Sequence, residues 1–278
     1  MLLFGALGCS LAGFAQTIPV YINDGQIEYT LGTVTWSAFN PSETLEAGSM
    51  RFAVDVNEPL ELLITNLTEN EQSFTIDGVF ETDNAIQPGA SLAVSLSFDA
   101  EGAYRYYSQT PSGQFTGASG IISVGGTADG RYYWNLFDLN MGLSAAFANG
   151  SELEYPQDYQ PELFTINGRF YPNTLDDMEV MVMGSVGDTV LIDIVNSGYM
   201  DHVMHFHGFH VDIVSSMLQP ERAGWNKDTV PVKRGDAMRL RLYMNQPGMY
   251  PIHDHNLIAV TNAGIYPGGM ITHIEVMP

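Results

Sequence analysis

The stretch His202-Val203-Met204-His205-Phe206-His207-Gly208-Phe209-His210, followed later by Pro251-Ile252-His253-Asp254-His255, holds six of the chain's seven histidines. In an extended strand, residues i and i+2 face the same side of the sheet. His205 and His207 therefore share a face, and so do His253 and His255. If the two strands are neighbours, four imidazoles converge. Crowded rings repel one another when protonated, and neutral imidazole is the commonest metal ligand, suiting copper and zinc alike. A metal ion resolves both problems, so this pattern predicts a β-sheet that binds a metal, with copper and zinc both suited to the donors. The competing reading, a solvated or core histidine patch, is weaker for two paired H-x-H motifs than it would be for one histidine. His210 lies an odd number of residues beyond His207 and is expected on the opposite face. His273 alternates within the last strand and reads as structural or exposed.

The rest of the chain is consistent with a sheet. Gly32–Phe39, Met50–Val56, Glu61–Thr65, Ser91–Phe98, Thr189–Val195 and Met238–Met244 are short runs rich in β-branched and aromatic residues, each bounded by turn formers. No long segment carries a 3.6-residue period. Many short strands separated by turns predict an all-β fold of Greek-key sandwiches. The two halves also look like distant repeats. Phe74-Thr75-Ile76-Asp77-Gly78 parallels His205-Phe206-His207-Gly208, and Gly102-Ala103-Tyr104 parallels Gly248-Met249-Tyr250. The expected organisation is a first domain at 16–124, a looser connection at 125–160 with a short helix near Leu143–Ala148, and a second domain at 161–278.

Composition narrows the function classes. The 278 residues include 32 acidic and 10 basic side chains, a formal net charge of -22. That disfavours nucleic acid and anionic membranes as partners. After the N-terminus no apolar run is long enough for a membrane span. Met1–Ala15 is apolar and ends Gly13-Phe14-Ala15, which reads as a secretory signal and implies a secreted or periplasmic protein. It contains the only cysteine, Cys9, where lipidation is an open alternative. Cleavage after Ala15 leaves no thiol for a disulfide or a cysteine-ligated copper. Met178, Met181 and Met183 are soft donors for Cu(I), but strand-like spacing in an apolar run reads as core packing.

These motifs resemble the multicopper oxidases. The last cupredoxin domain of that family carries His-Pro-x-His-x-His-Gly and later His-Cys-His. His202-Val203-Met204-His205-Phe206-His207-Gly208 matches the first at every histidine, and His253-Asp254-His255 matches the second except at its centre. Phe164-Thr165-Ile166-Asn167-Gly168-Arg169-Phe170-Tyr171-Pro172 resembles the family's lead into that domain, and Gly268-Gly269-Met270 its exit. The resemblance implies two cupredoxin-like domains, with His205, His207, His253 and His255 as copper ligands. It also implies an oxidoreductase, and a cyclic homotrimer in which copper lies between domain one of one subunit and domain two of the next.

The departures bear on activity. Asp254 stands where the family has its blue-copper cysteine, and a carboxylate cannot supply a soft, covalent thiolate bond. His202 thus lacks its usual partners. It and Asp254 are further candidate ligands, or a pair with each other. Domain one offers Thr75, Asp77, Tyr107 and Gln109 where the family has histidines. Three functions remain in competition: a non-blue copper protein with at most weak oxidase activity, a true oxidase whose centre is completed between subunits, and a metal-free interaction module. The sequence names no substrate.

Overall fold

The computed structural model describes residues 16–151 and 158–278. The expected signal segment and Cys9 lie outside them. The chain is mostly β and folds into four sheets that form two cupredoxin-type sandwiches. The first sandwich faces a four-stranded sheet (order Gly32–Asn40, Ile18–Tyr29, Leu60–Asn66, Ser91–Leu96) against a five-stranded one. That second sheet runs Arg51–Val54, Ser119–Val124, Gly102–Tyr107, Thr75–Ile76, Phe80–Glu81. Val20, Ile22, Leu62, Ile64, Phe74 and Tyr106 fill the space between them. In the second sandwich a six-stranded sheet runs Leu163–Ile166, Gly130–Leu139, Thr189–Asn196, Ala237–Tyr243, Val211–Ser216, Asn226–Lys227. Facing it are Val182–Ser185, Ile271–Met277, Gly248–Asp254, His202–Phe206 and Thr229–Val232, in that order. Trp134, Ile192, Met204, Phe206, Leu240 and Ile252 belong to its core.

The stretch expected as a loose connection is more ordered than its composition suggested. Gly130–Leu139 is a ten-residue strand that pairs in parallel with Thr189–Asn196 inside the six-stranded sheet. Its alternation is hidden because both faces are covered. Tyr132, Trp134 and Leu136 enter the core of the second sandwich, whereas Tyr133 packs beside Ala103, Ile121, Val195 and Ala237 at the junction of the sandwiches. A helix follows at Met141–Ala148, where Asn140 Oδ1 caps it by accepting from the Leu143 amide at 2.9 Å. Residues 152–157, also in that stretch, lie outside the described residues.

Two features lock the sandwiches together. Val34, Trp36 and Ala38 pack with Phe137, Leu139, Leu163 and Phe170, and Trp36 meets Phe137 edge-on at 5.4 Å. The hairpin Asn167-Gly168 has positive φ at both residues (54° and 74°), as a two-residue turn of this kind demands. A Cβ at Gly168 would come within 2.7 Å of Ala47 in the first sandwich. The second lock is polar. Arg239, 1% exposed, pairs with buried Asp193 through Nε–Oδ1 at 2.7 Å and Nη2–Oδ2 at 2.8 Å. Its remaining donors cross to the first sandwich, to Val124 O (2.9 Å), Gly125 O (3.2 Å), Gly102 O (3.2 Å) and Ser123 Oγ (3.0 Å).

Candidate metal centre

The strands His202–Phe206 and Gly248–Asp254 are antiparallel neighbours, with His205 opposite His253 and Phe206 opposite Ile252. Met204, Phe206 and Ile252 point into the core, so alternation sends His205 and His253 to the outer face. The His207 amide donates to Pro251 O and the His255 amide to Val203 O, which carries the pairing past both strand ends. Gly208 then turns the chain at φ 75°, where a Cβ would lie 2.5 Å from the Tyr250 ring. That close approach explains the glycine of the His-x-His-Gly motif.

The four rings form one group. Ring centroids lie 4.6 Å apart for His205–His207, 5.6 Å for His205–His253, 5.7 Å for His205–His255, 5.1 Å for His207–His253 and 6.3 Å for His253–His255. His207 Nε2 and His253 Nε2 are 3.0 Å apart. Two nitrogens bound to one ion at about 2.0 Å each reach such a separation without rearrangement.

Backbone partners aim the lone pairs. His253 Nδ1 lies 2.9 Å from Asp254 O, a pure acceptor, so Nδ1 carries the proton and Nε2 is left as the donor atom for a metal. His205 Nδ1 is held in the same way by Thr229 Oγ1 at 2.9 Å and Asp228 O at 3.2 Å. Burial, and then the charges of His205 and His253, push His207 below the usual imidazole range, which favours its neutral, ligand-competent form. His207 and His255 are exposed. Among the described residues no group of three or more His, Cys, Asp or Glu side chains is placed to hold a metal ion as it stands. The histidines form an open face rather than a cage.

His202 and Asp254 sit on the other side of the same strands. Both are fully buried. His202 Nδ1 meets Asp254 Oδ2 at 2.5 Å, and its Nε2 meets Asp138 Oδ2 at 3.2 Å. Asp254 Oδ1 also accepts from the amides of Val203 (3.1 Å) and Asn256 (2.8 Å). As candidate metal ligands the pair is therefore displaced twice over: it faces the core, and both imidazole nitrogens are engaged by carboxylates. Burial alone would lower the His202 pKa, but the hydrogen bonds and charges of Asp138 and Asp254 lift it to about 9. His202 and Asp254, bonded to each other, stand at the positions that the resemblance assigns to a histidine and the cysteine around copper. Asp138 was missed in the sequence, because no local motif marks it.

The domain-one candidates are committed within their own sandwich. Asp77 Oδ2 pairs with Arg105 Nη2 at 2.8 Å, its Oδ1 accepts from Tyr107 OH at 2.9 Å, and Arg105 stacks over the Tyr107 ring at 3.9 Å. Thr75 is buried and Gln109 exposed. None of the four shares the histidine face. His210 is exposed. His273 is half-buried on the outer face, opposite Pro251. Met183 is not a core residue either: Val182 fills the core and Met183 faces out, while Met178 is 65% exposed.

Residues 150–267 match the family model described as multicopper oxidase. The fold as a whole is similar to the blue copper oxidase from Nitrosomonas europaea, with a TM-score of 0.78 and 21% identity, covering 94% of this chain and 85% of that one. It is similar to the multicopper oxidase mgLAC (TM-score 0.77, 20% identity, 94% of this chain and 87% of that one). It is also similar to the copper nitrite reductase from Nitrosomonas europaea (TM-score 0.72, 18% identity, 94% of each chain). No curated protein matches the chain. Fold and histidine face together define a two-domain cupredoxin protein. In its second domain, residues 150–267, the chain is similar to the multicopper oxidases.

Proposed function

We propose that this chain is a secreted or periplasmic copper-binding protein whose metal is held by His205, His207, His253 and His255, with at most weak oxidoreductase activity. The observation that carries this reading is the convergence of four imidazoles, two of which, His205 and His253, have Nδ1 partners that leave Nε2 as the donor atom. Bound copper would supply Lewis acidity and one-electron redox chemistry. The protein's own part is to hold the ring tautomers and keep His207 neutral. Zinc suits the same donors. No thiolate is available among the described residues, and the buried His202 is fully engaged, so a blue copper centre has no ligand set here.

One observation favours a second reading, a centre completed by another copy of the chain. The histidine face is open, and Met249, Leu257, Ile258, Ile265 and Tyr266 nearby in sequence are all more than half exposed. A homotrimer of the family type would cover such a surface. Asp77 is a poor candidate for the missing ligand, because Arg105 and Tyr107 already hold both its oxygens. No helix among the described residues is long and apolar enough to cross a membrane. A metal-free interaction module is the remaining alternative.

Metal analysis after copper reconstitution separates these readings. The wild-type chain is expected to retain copper and to stay pale, without the intense visible band of a thiolate site. His205→Ala/His207→Ala should lose most of that copper, since two of four ligands go. Asp77→Ala should leave copper content unchanged. Loss of copper in Asp77→Ala would favour the intersubunit centre, and a wild-type chain free of copper and zinc would leave only the interaction module.

A further inference from the structure

We infer that Met183, Met249 and His273 form a separate site for a cuprous ion on the same outer face. Met183 pairs with Glu275, and Glu275 pairs with Met249 on its other side. Paired residues in a sheet point the same way, and Val182, Ile252, Ile274 and Val276 belong to the core. Met183, Glu275 and Met249 therefore form one rung on the outer face, with His273 on that face two residues along from Glu275. Strands lie about 4.8 Å apart and residues i and i+2 about 6.7 Å apart. Both methionines thus flank the Glu275–His273 column within reach of their three flexible bonds.

Core packing does not account for these side chains. Met249 is 59% exposed, so its thioether is not held by burial. His273 Nδ1 is buried and takes no hydrogen bond among the described residues. Two thioethers and one imidazole are a soft donor set, which selects Cu(I) over Zn(II) or hard cations. Glu275 places a carboxylate in the column between them. The site is distinct from the four-histidine face. Pro251, which has no donor side chain, lies between His273 and His207 in the sheet. The inference stands independently of the four-histidine reading.

The test is an anaerobic Cu(I) titration of the full chain, with ascorbate as reductant and a chromogenic chelator in competition. The wild-type chain and His205→Ala/His207→Ala should both bind the soft-site Cu(I). Met183→Leu/Met249→Leu conserves volume and should keep the fold, yet weaken that ion by more than about 100-fold. Its Cu(II) content by electron paramagnetic resonance should not change. His273→Gln should weaken it by at least about tenfold. X-ray absorption should detect sulfur next to copper in the wild type and not in the methionine variant. The inference is overturned if the wild type binds no Cu(I), if the ion survives both methionine changes, if it disappears with His205 and His207, or if its neighbours are nitrogen only. Failure of the four-histidine reading would show separately, as a wild-type chain without bound Cu(II).

Discussion

Replacing Arg239 by Ala is expected to destabilise the chain by about 3–5 kcal/mol, read as a drop in the urea midpoint. The reason is what remains behind. Asp193 is fully buried and loses both of its guanidinium bonds, at 2.7 and 2.8 Å. Three carbonyls of the first sandwich, Gly102, Val124 and Gly125, lose their donor in the same step. Replacing a buried ion pair by apolar residues is often neutral. Here the double change Arg239→Met/Asp193→Leu should recover only part of the loss, because each carbonyl left unpaired costs about 1–3 kcal/mol. Full recovery would mean that those carbonyl contacts contribute nothing.

The second large effect belongs to His202. Its pKa stands at about 9 against an ordinary 6.5. A raised pKa means that the folded chain binds a proton more tightly than the unfolded one. The resulting stabilisation is complete below pH 6.5 and fades as pH rises through about 9. At 1.36 kcal/mol per pH unit this is on the order of 3 kcal/mol. Stability of the metal-free chain should therefore fall across that window. His202→Ala should flatten the fall and lower stability on its acidic side by about 3–5 kcal/mol, because Asp138 and Asp254 are left buried without a counter-charge. A wild-type profile that is level across the window would rule out a charged His202.

What could be read in the sequence was what alternation encodes. His205/His207 and His253/His255 repeat at the period of a strand, so their common face follows from spacing alone once the strands pair. Asp138 could not be found that way. It lies 64 residues before His202, in a stretch whose Gly, Asn and Tyr content suggested a connection. Nor does spacing reveal Arg239, since Arg239-Leu240-Arg241 reads as a strand with two solvated charges. The two share one face of the strand, and only the first sandwich, packing over the Arg239 end, makes that position an interior while Arg241 stays exposed. Met181-Val182-Met183 failed for the opposite reason: every residue is apolar, so the pattern does not say which side is buried.

The reach of Arg239 has a consequence for how the chain is made. Its carbonyl partners lie 114, 115 and 137 residues earlier, and domains generally fold as units, N-terminal first, during synthesis. The first sandwich therefore leaves the ribosome with these carbonyls turned toward water. They stay hydrated until the guanidinium arrives, more than a hundred residues later. A nascent chain halted before Arg239 would present an unlatched sandwich, and proteases should cut it near Gly125 more readily than they cut the finished protein.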